Sequence, residues 1–252
     1  MPAPAYVGIM DLSSVCELPG SFPSSTVGSQ VYWNMCKQGS LLESDFLKHG
    51  LRCVMAIALA PYGVQTTKKE VKVPADLVGV KLRSAGGTWN DVIESIQGTP
   101  VVKTAAEYFE SIQRGVVDGS VTPINAILAF KVEPLMKYAT DVQLGQFAFD
   151  LAINEKVWQT LPQDVQKAMM QAGDEIALSY GKYADASVAA SYKVLTEKHG
   201  WKIYYPTPDE KKIWAQAVTK VEKKWIADKT ARGLNAQKVV DERNKLVAQF
   251  SK

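Results

Sequence analysis

Between residues 80 and 123 the chain alternates short apolar runs with amphipathic stretches, and few architectures accept that order. Val80-Lys81-Leu82-Arg83 predicts a short strand, and Ser84-Ala85-Gly86-Gly87 a small-residue turn. Trp89, Val92, Ile93 and Ile96 then recur at helical spacing up to Gly98. Val101-Val102 reads as the next strand. A helix over 105–114 follows, with Tyr108, Phe109 and Ile112 on its inner side and Gly115 as its stop. Val116 and Val117, then Asp118-Gly119, lead into 120–123. Strand, helix, strand, helix, strand is the pattern of an α/β fold.

The flanking segments fit that class. Residues 1–23 read as irregular, 29–36 and 41–49 as short helices, and 51–60 as a buried strand. The polar, β-prone stretch 65–73 (QTTKKEVKV) predicts an exposed strand or hairpin. A helix over 126–137, disturbed near Pro134, precedes two strands at 138–144 and 146–153. The second alternates little, as a strand covered on both faces would. After Leu161-Pro162, apolar residues from Val165 to Val194 recur at three- and four-residue spacing. They predict one long helix, or a kinked pair, ending at His199-Gly200. A strand at 201–205 and amphipathic helices at 208–232 and 235–250 complete the chain.

Composition removes several functions. The longest clean apolar run, Cys53 to Ala60, is far short of the roughly 18 residues of a membrane span, so the chain is not membrane-embedded. The net charge is +3, and the excess lies after Pro208, where eleven Lys/Arg face six Asp/Glu. Those lysines sit beside apolar residues at helical spacing, as on a solvated helix face, so no nucleic-acid partner is expected. Cys16, Cys36 and Cys53 form no CxxC pair, which speaks against zinc or any other metal. His49 and His199 each precede glycine, the pattern of a helix end. A Cys53–His49 dyad would be the alternative, but Cys53 falls in a buried strand, where thiols are inert.

No cofactor is implied. There is no GxGxxG after a strand, no Walker A loop, no HExxH and no GxSxG. The loop at Ser84 follows a strand and opens a helix, where ligands of open α/β sheets collect. Arg83 stands beside it with a planar fork suited to a carboxylate or phosphate. On spacing alone it is either a ligand anchor or a surface arginine paired with an acid.

The stretch VPADLVGVKLRSAGGTWNDVIESIQGTPV, then EYFESIQRGVVDGSVTP, then KYATDVQLGQFAFDLAINEKVWQTLPQDVQKAM, resembles the solute-binding subunits of TRAP transporters, the DctP-like family. The likeness runs from about Leu12 to the C-terminus. It implies a periplasmic-binding-protein-like α/β fold with two lobes around a cleft and a long connecting helix. Residues 1–62 plus 148–187 would form the first lobe, and 63–147 plus 188–252 the second. It also implies a non-enzymatic role in the periplasm: capture of a small organic acid and its delivery to TRAP membrane permease subunits.

Residue by residue, the resemblance places the family's carboxylate-binding arginine at Arg83. Ser84, Trp89, Thr122, Phe147 and Asn154 are the other candidate ligand-binding positions. Two departures stand out. The second arginine of many members, near Val64-Gln65, is missing, and Thr122 replaces an asparagine before Pro123. Both point away from a dicarboxylate and toward a monocarboxylate, and Trp89, Phe147 and Phe149, near segments that border the family's cleft, imply an aromatic or bulky one. Members also carry a signal peptide and βαβ units ahead of the matched region, so the resemblance implies a chain without the family's N-terminal portion and with an incomplete first lobe. The alternatives are a ligand sensor docking on a receptor, a truncated non-functional member, or a small α/β enzyme.

Overall fold

The computed structural model describes residues 9–252, so the irregular start expected at 1–8 lies outside the described residues. In chain order the first elements are α1 (Ser25–Lys37), β1 (Leu51–Ala58), β2 (Tyr62–Thr66), β3 (Lys81–Ser84), α2 (Thr88–Ser95), β4 (Thr99–Val102), α3 (Tyr108–Gln113) and β5 (Gly119–Pro123). There follow α4 (Ile124–Ala129), β6 (Tyr138–Thr140), β7 (Ala148–Asn154), α5 (Glu155–Thr160), α6 (Gln163–His199), β8 (Lys202–Tyr204), α7 (Pro208–Ala231) and α8 (Ala236–Phe250). The chain is α/β, as its alternation implies, and the long periodic segment is one helix.

The chain divides into two compact units. The first takes the described residues up to Leu59, Gln146–Asp185 and Lys224–Lys252; the second takes Ala60–Gly145 and Ala186–Lys223. The sequence reading assigned all of 188–252 to the second lobe. From Lys224 onward the chain instead packs on the first unit. Trp225 Nε1 donates to Ser14 Oγ at 2.9 Å, and the buried Arg243 donates to the Val15 carbonyl at 3.0 Å and to Ser21 Oγ at 2.9 Å. Amphipathicity shows that such a helix has a buried side, but not which surface covers it.

In the first unit β1 and β7 form an antiparallel pair, with Leu51 opposite Asn154 and Ala58 opposite Ala148. Helix α1 starts where Ser24 Oγ accepts from the Val27 N–H, and Asp185 accepts from the N–H groups of Ser25 and Thr26. The helix expected at 41–49 is a single π turn followed by a 3-10 turn, closed by Gly50 at φ 67°. Strand β7 corrects another expectation. Its burial alternates, but with the polarity inverted: Phe149 and Leu151 face outward while Asp150 points inward to the Tyr32 hydroxyl at 3.1 Å. A hydropathy pattern therefore looks flat where the geometry is not. All three cysteines are free and buried, and all belong to this unit.

Glu17 is fully buried here, with Oε1 accepting from the Ala148 N–H at 3.1 Å. Burial, with nearby Asp150 adding to it, pushes its carboxyl well above the ordinary value of 4.5. Between about 4.5 and that higher folded value the native state holds a proton that the unfolded state has lost, so stability falls as pH rises through the window. Glu17→Gln keeps the acceptor and removes the titration. Its melting temperature should exceed that of the wild type by a margin that grows from pH 4.5 to pH 8; an equal margin at both ends would contradict this account.

The second unit is built on a six-stranded sheet in the order β4-β3-β5-β2-β6-β8. β3 runs parallel to β4 and β5, β2 runs antiparallel to β5 and β6, and β8 is parallel to β6. The polar run expected at the surface holds a surprise. β2 is an interior strand, buried along its whole length, and regular pairing ends at Thr66. The helix over 126–137 shrinks to α4. Val132 and Met136, beyond its end, instead enter the core cluster with Tyr108, Ile112, Ile124, Ile127, Leu195 and Trp201.

Candidate functional site

Register places the site. Leu82 stands opposite Gly119 and Arg83 opposite Ser120 across β3–β5, while Ser120 faces Gln65 and Thr122 faces Gly63 across β5–β2. Paired residues share a face and side chains alternate along a strand. Arg83, Ser120, Thr122 and Gln65 therefore lie on one face of the sheet. Arg83 and Thr122 sit toward the carboxyl ends of β3 and β5, where α/β sheets collect ligands.

Arg83 is 6% exposed. Its Nε donates to the Lys103 carbonyl at 3.0 Å, and its guanidinium carbon sits 5.1 Å from the ring centroid of Tyr108. Among the described residues no carboxylate pairs with it, and neither Nη1 nor Nη2 has a hydrogen-bond partner. Those two nitrogens are not sealed off from solvent either. A buried cation without a counter-charge costs several kcal/mol, so such an arrangement is unusual in a purely structural arginine. The surface-arginine alternative, paired with a nearby acid, does not describe it.

Around Arg83 the polar side chains form a connected set. The Tyr108 hydroxyl meets Ser120 Oγ at 2.6 Å, Ser120 donates to Gln65 Oε1 at 3.2 Å, and Gln65 Nε2 donates to the Thr122 carbonyl at 3.1 Å. Burial raises the Tyr108 phenol above its ordinary value, so it stays protonated. The Thr122 hydroxyl has no partner among the described residues and is not fully enclosed. Lys103 is itself held in place. Glu107 accepts from the Thr104 N–H at 3.0 Å and from its hydroxyl at 2.8 Å, and pairs with Lys103 Nζ at 3.1 Å. The Thr104 N–H and hydroxyl, then Lys103, pull the Glu107 carboxyl down to about 2. Asp118 is a structural aspartate: its Oδ2 accepts from the Lys81 N–H at 2.9 Å.

The other candidates have different settings. Ser84 points to the opposite face, where its hydroxyl donates to Asn90 Oδ1 at 2.6 Å and accepts from the Gly86 N–H at 3.0 Å. These bonds fix the loop, whose Gly86 and Gly87 adopt φ of 90° and 57°. Trp89, 1% exposed, stacks on Tyr62 with ring centroids 4.1 Å apart, and its buried indole N–H has no hydrogen-bond partner among the described residues. Phe147 and Asn154 belong to the first unit. Phe147 is largely buried and its carbonyl accepts from the Leu59 N–H at 2.9 Å. Asn154 caps α5, accepting from the N–H groups of Lys156 and Val157. Arg83 and Thr122 are thus the two candidates brought to one face. The partners missing from the sequence reading are Tyr108, Ser120 and Gln65.

Among the described residues no cluster of His, Cys, Asp or Glu is arranged to hold a metal ion, and no helix is long and apolar enough to cross a membrane. Residues 2–229 match the family model described as bacterial extracellular solute-binding protein, family 7, DctP. The chain belongs to this family. The match begins at residue 2 rather than near Leu12, where the motifs become recognisable. Against the C4-dicarboxylate-binding periplasmic protein DctP of Rhodobacter capsulatus, the DctP-family chain is 21% identical over 161 residues. That covers 64% of the chain and 48% of the relative, so the chain spans about half the length of the curated relatives it matches.

Solved TRAP solute-binding proteins share the fold. One from a marine metagenome, specific for aromatic acid ligands and complexed with 3-hydroxybenzoate, superposes with a TM-score of 0.91 at 23% identity, covering 100% of this chain and 79% of that one. Another, from Rhodoferax ferrireducens T118 with copurified benzoate, gives 0.89 at 21% identity, covering 100% and 78%. Family and fold are those of transport solute-binding proteins, not of enzymes. Cys53 is buried, with its thiol donating to the Met55 carbonyl at 3.3 Å.

Proposed function

We infer that this DctP-family chain captures a small monocarboxylate in the periplasm, anchors it at Arg83 and Thr122, and delivers it to TRAP membrane permease subunits. One observation carries the reading: Arg83 is buried with two free terminal nitrogens and no carboxylate of the described chain beside it. A ligand carboxylate would supply the missing charge through two charge-assisted hydrogen bonds. The Thr122 hydroxyl has a proton to add.

A single carboxylate fits better than two. The polar side chains linked around Arg83 and Thr122 are Ser120, Gln65 and Tyr108, all neutral, and the amine of Lys103, whose carbonyl holds Arg83, is already paired with Glu107, so a second carboxylate would meet no free cation in that set. Relatives that bind benzoate and 3-hydroxybenzoate make aromatic acids the first to test.

The test is a thermal-shift series with benzoate, 3-hydroxybenzoate, succinate and the neutral amide benzamide. A specific ligand at about 100 times its Kd adds about 2.7 kcal/mol of apparent stability. A monocarboxylate should raise the melting temperature more than succinate does, and benzamide should leave it unchanged. Benzamide matching benzoate, or no acid acting at all, would refute the reading.

A further inference from the structure

We propose that Tyr108 is the positioning residue of Arg83 and that, together with the Lys103 carbonyl, it leaves only Nη1 and Nη2 available to a ligand. The inference deepens the carboxylate reading above and rests on it.

Two contacts fix the guanidinium. Nε is spent on the Lys103 carbonyl at 3.0 Å, and the ring of Tyr108 lies within cation–π reach, 5.1 Å from the guanidinium carbon to the ring centroid. The ring is itself fixed. It is buried, packed edge-on against Phe130 at 5.5 Å, and held at its far end by Ser120. Ser120 has a single proton and gives it to Gln65 Oε1, so the 2.6 Å contact must be donated by Tyr108. Gln65 passes the direction on through its amide to the Thr122 carbonyl. Every donor in the series points the same way, from the ring under Arg83 to the strand that carries Thr122. The two groups read as ligand contacts are thereby held in one frame.

The consequence is a restriction on the ligand. A side-on approach to a guanidinium uses Nε with one Nη, and here Nε is taken. The end-on approach, through Nη1 and Nη2, remains. It accepts a planar anion with two equivalent oxygens presented along the axis of the side chain, which describes a carboxylate.

The chain has five arginines, so the Nε–H signals of an arginine-labelled sample can be assigned one by one, that of Arg83 by its absence in R83K. In the wild type the Arg83 Hε should exchange slowly with water, and in Y108F, which keeps the ring, it should stay slow. In Y108L it should exchange at least tenfold faster, and benzoate affinity should fall at least tenfold, against less than threefold in Y108F. S120A, which breaks the bond to the Tyr108 hydroxyl as Y108F does and also removes the donor to the Gln65 amide through which the frame runs, should fall between them on both readouts. A folded Y108L with wild-type Hε exchange and wild-type benzoate affinity overturns the proposal, while loss of benzoate binding in R83A within the same series leaves the carboxylate reading intact. Benzoate binding undiminished in R83A, or absent from the wild type, counts against the carboxylate reading instead, and Hε exchange then decides the positioning role alone. If Y108L does not fold, S120A carries the same two measurements.

Discussion

Arg83→Ala should weaken binding of the preferred carboxylate by at least about 100-fold without unfolding the protein. The size follows from two charge-assisted hydrogen bonds, each worth roughly 1.5–3 kcal/mol. The second half of the expectation separates a ligand anchor from a structural arginine. A structural arginine is balanced by protein carboxylates, and its removal leaves a buried charge behind. Arg83 has no such partner among the described residues, and its one hydrogen bond within the chain goes to a backbone carbonyl. The alanine variant should therefore melt within a few degrees of the wild type when no ligand is present. Arg83→Lys should recover little affinity, because an ammonium cannot offer two parallel N–H groups. Calorimetry on the three proteins with the most stabilising acid of the thermal-shift series decides the matter; affinity unchanged in the alanine variant would remove Arg83 from the site.

The largest expected loss of stability comes from one hydrogen replaced by a methyl group. Gly119 opens β5 between β2 and β3, opposite Thr66 on one side and Leu82 on the other. A Cβ at this position would run into the Gln65 carbonyl oxygen and come within 3.0 Å of the Thr66 Cα. Both are backbone atoms of a buried interior strand, so no side chain can move aside. Gly119→Ala should cost about 3 kcal/mol, at the upper end for overpacking, and lower the melting temperature by about 10 °C. Gly79, at φ 78° with open space around it, is the control: alanine there is strained by the backbone alone and should cost clearly less. Equal losses at the two positions would mean that the sheet yields more easily than its packing implies.

Much of this was legible in the chain itself. The alternation over 80–123 and the spacing of the long helix are local signals, and the structure follows them closely. Arg83 could be singled out because a strand, a small-residue loop and a helix adjoin it in sequence. The bed on which it rests could not. Tyr108 reads as an ordinary inner residue of an amphipathic helix, since nothing local says that a guanidinium lies over its ring. Gln65 reads as solvent-exposed because it begins a polar run. Inside the sheet its amide is satisfied by Ser120 and by the Thr122 carbonyl, partners 55 and 57 residues away. Asp150 shows the same limit from the other side: a carboxyl pointing inward between two outward-facing apolar residues inverts the pattern from which burial is inferred. In each case hydropathy records what a side chain is, while its place depends on a partner supplied by a distant segment.

The placement of the thiols has a practical consequence. All three cysteines are buried in the first unit and the second has none. Burial raises the thiols of Cys16 and Cys36, which keeps them unreactive while the unit is closed. Alkylation under native conditions therefore times the local opening of one half of the molecule, with the other half silent. The protein carries its own clock for that motion, and it can be read with and without an organic acid present before any label is introduced.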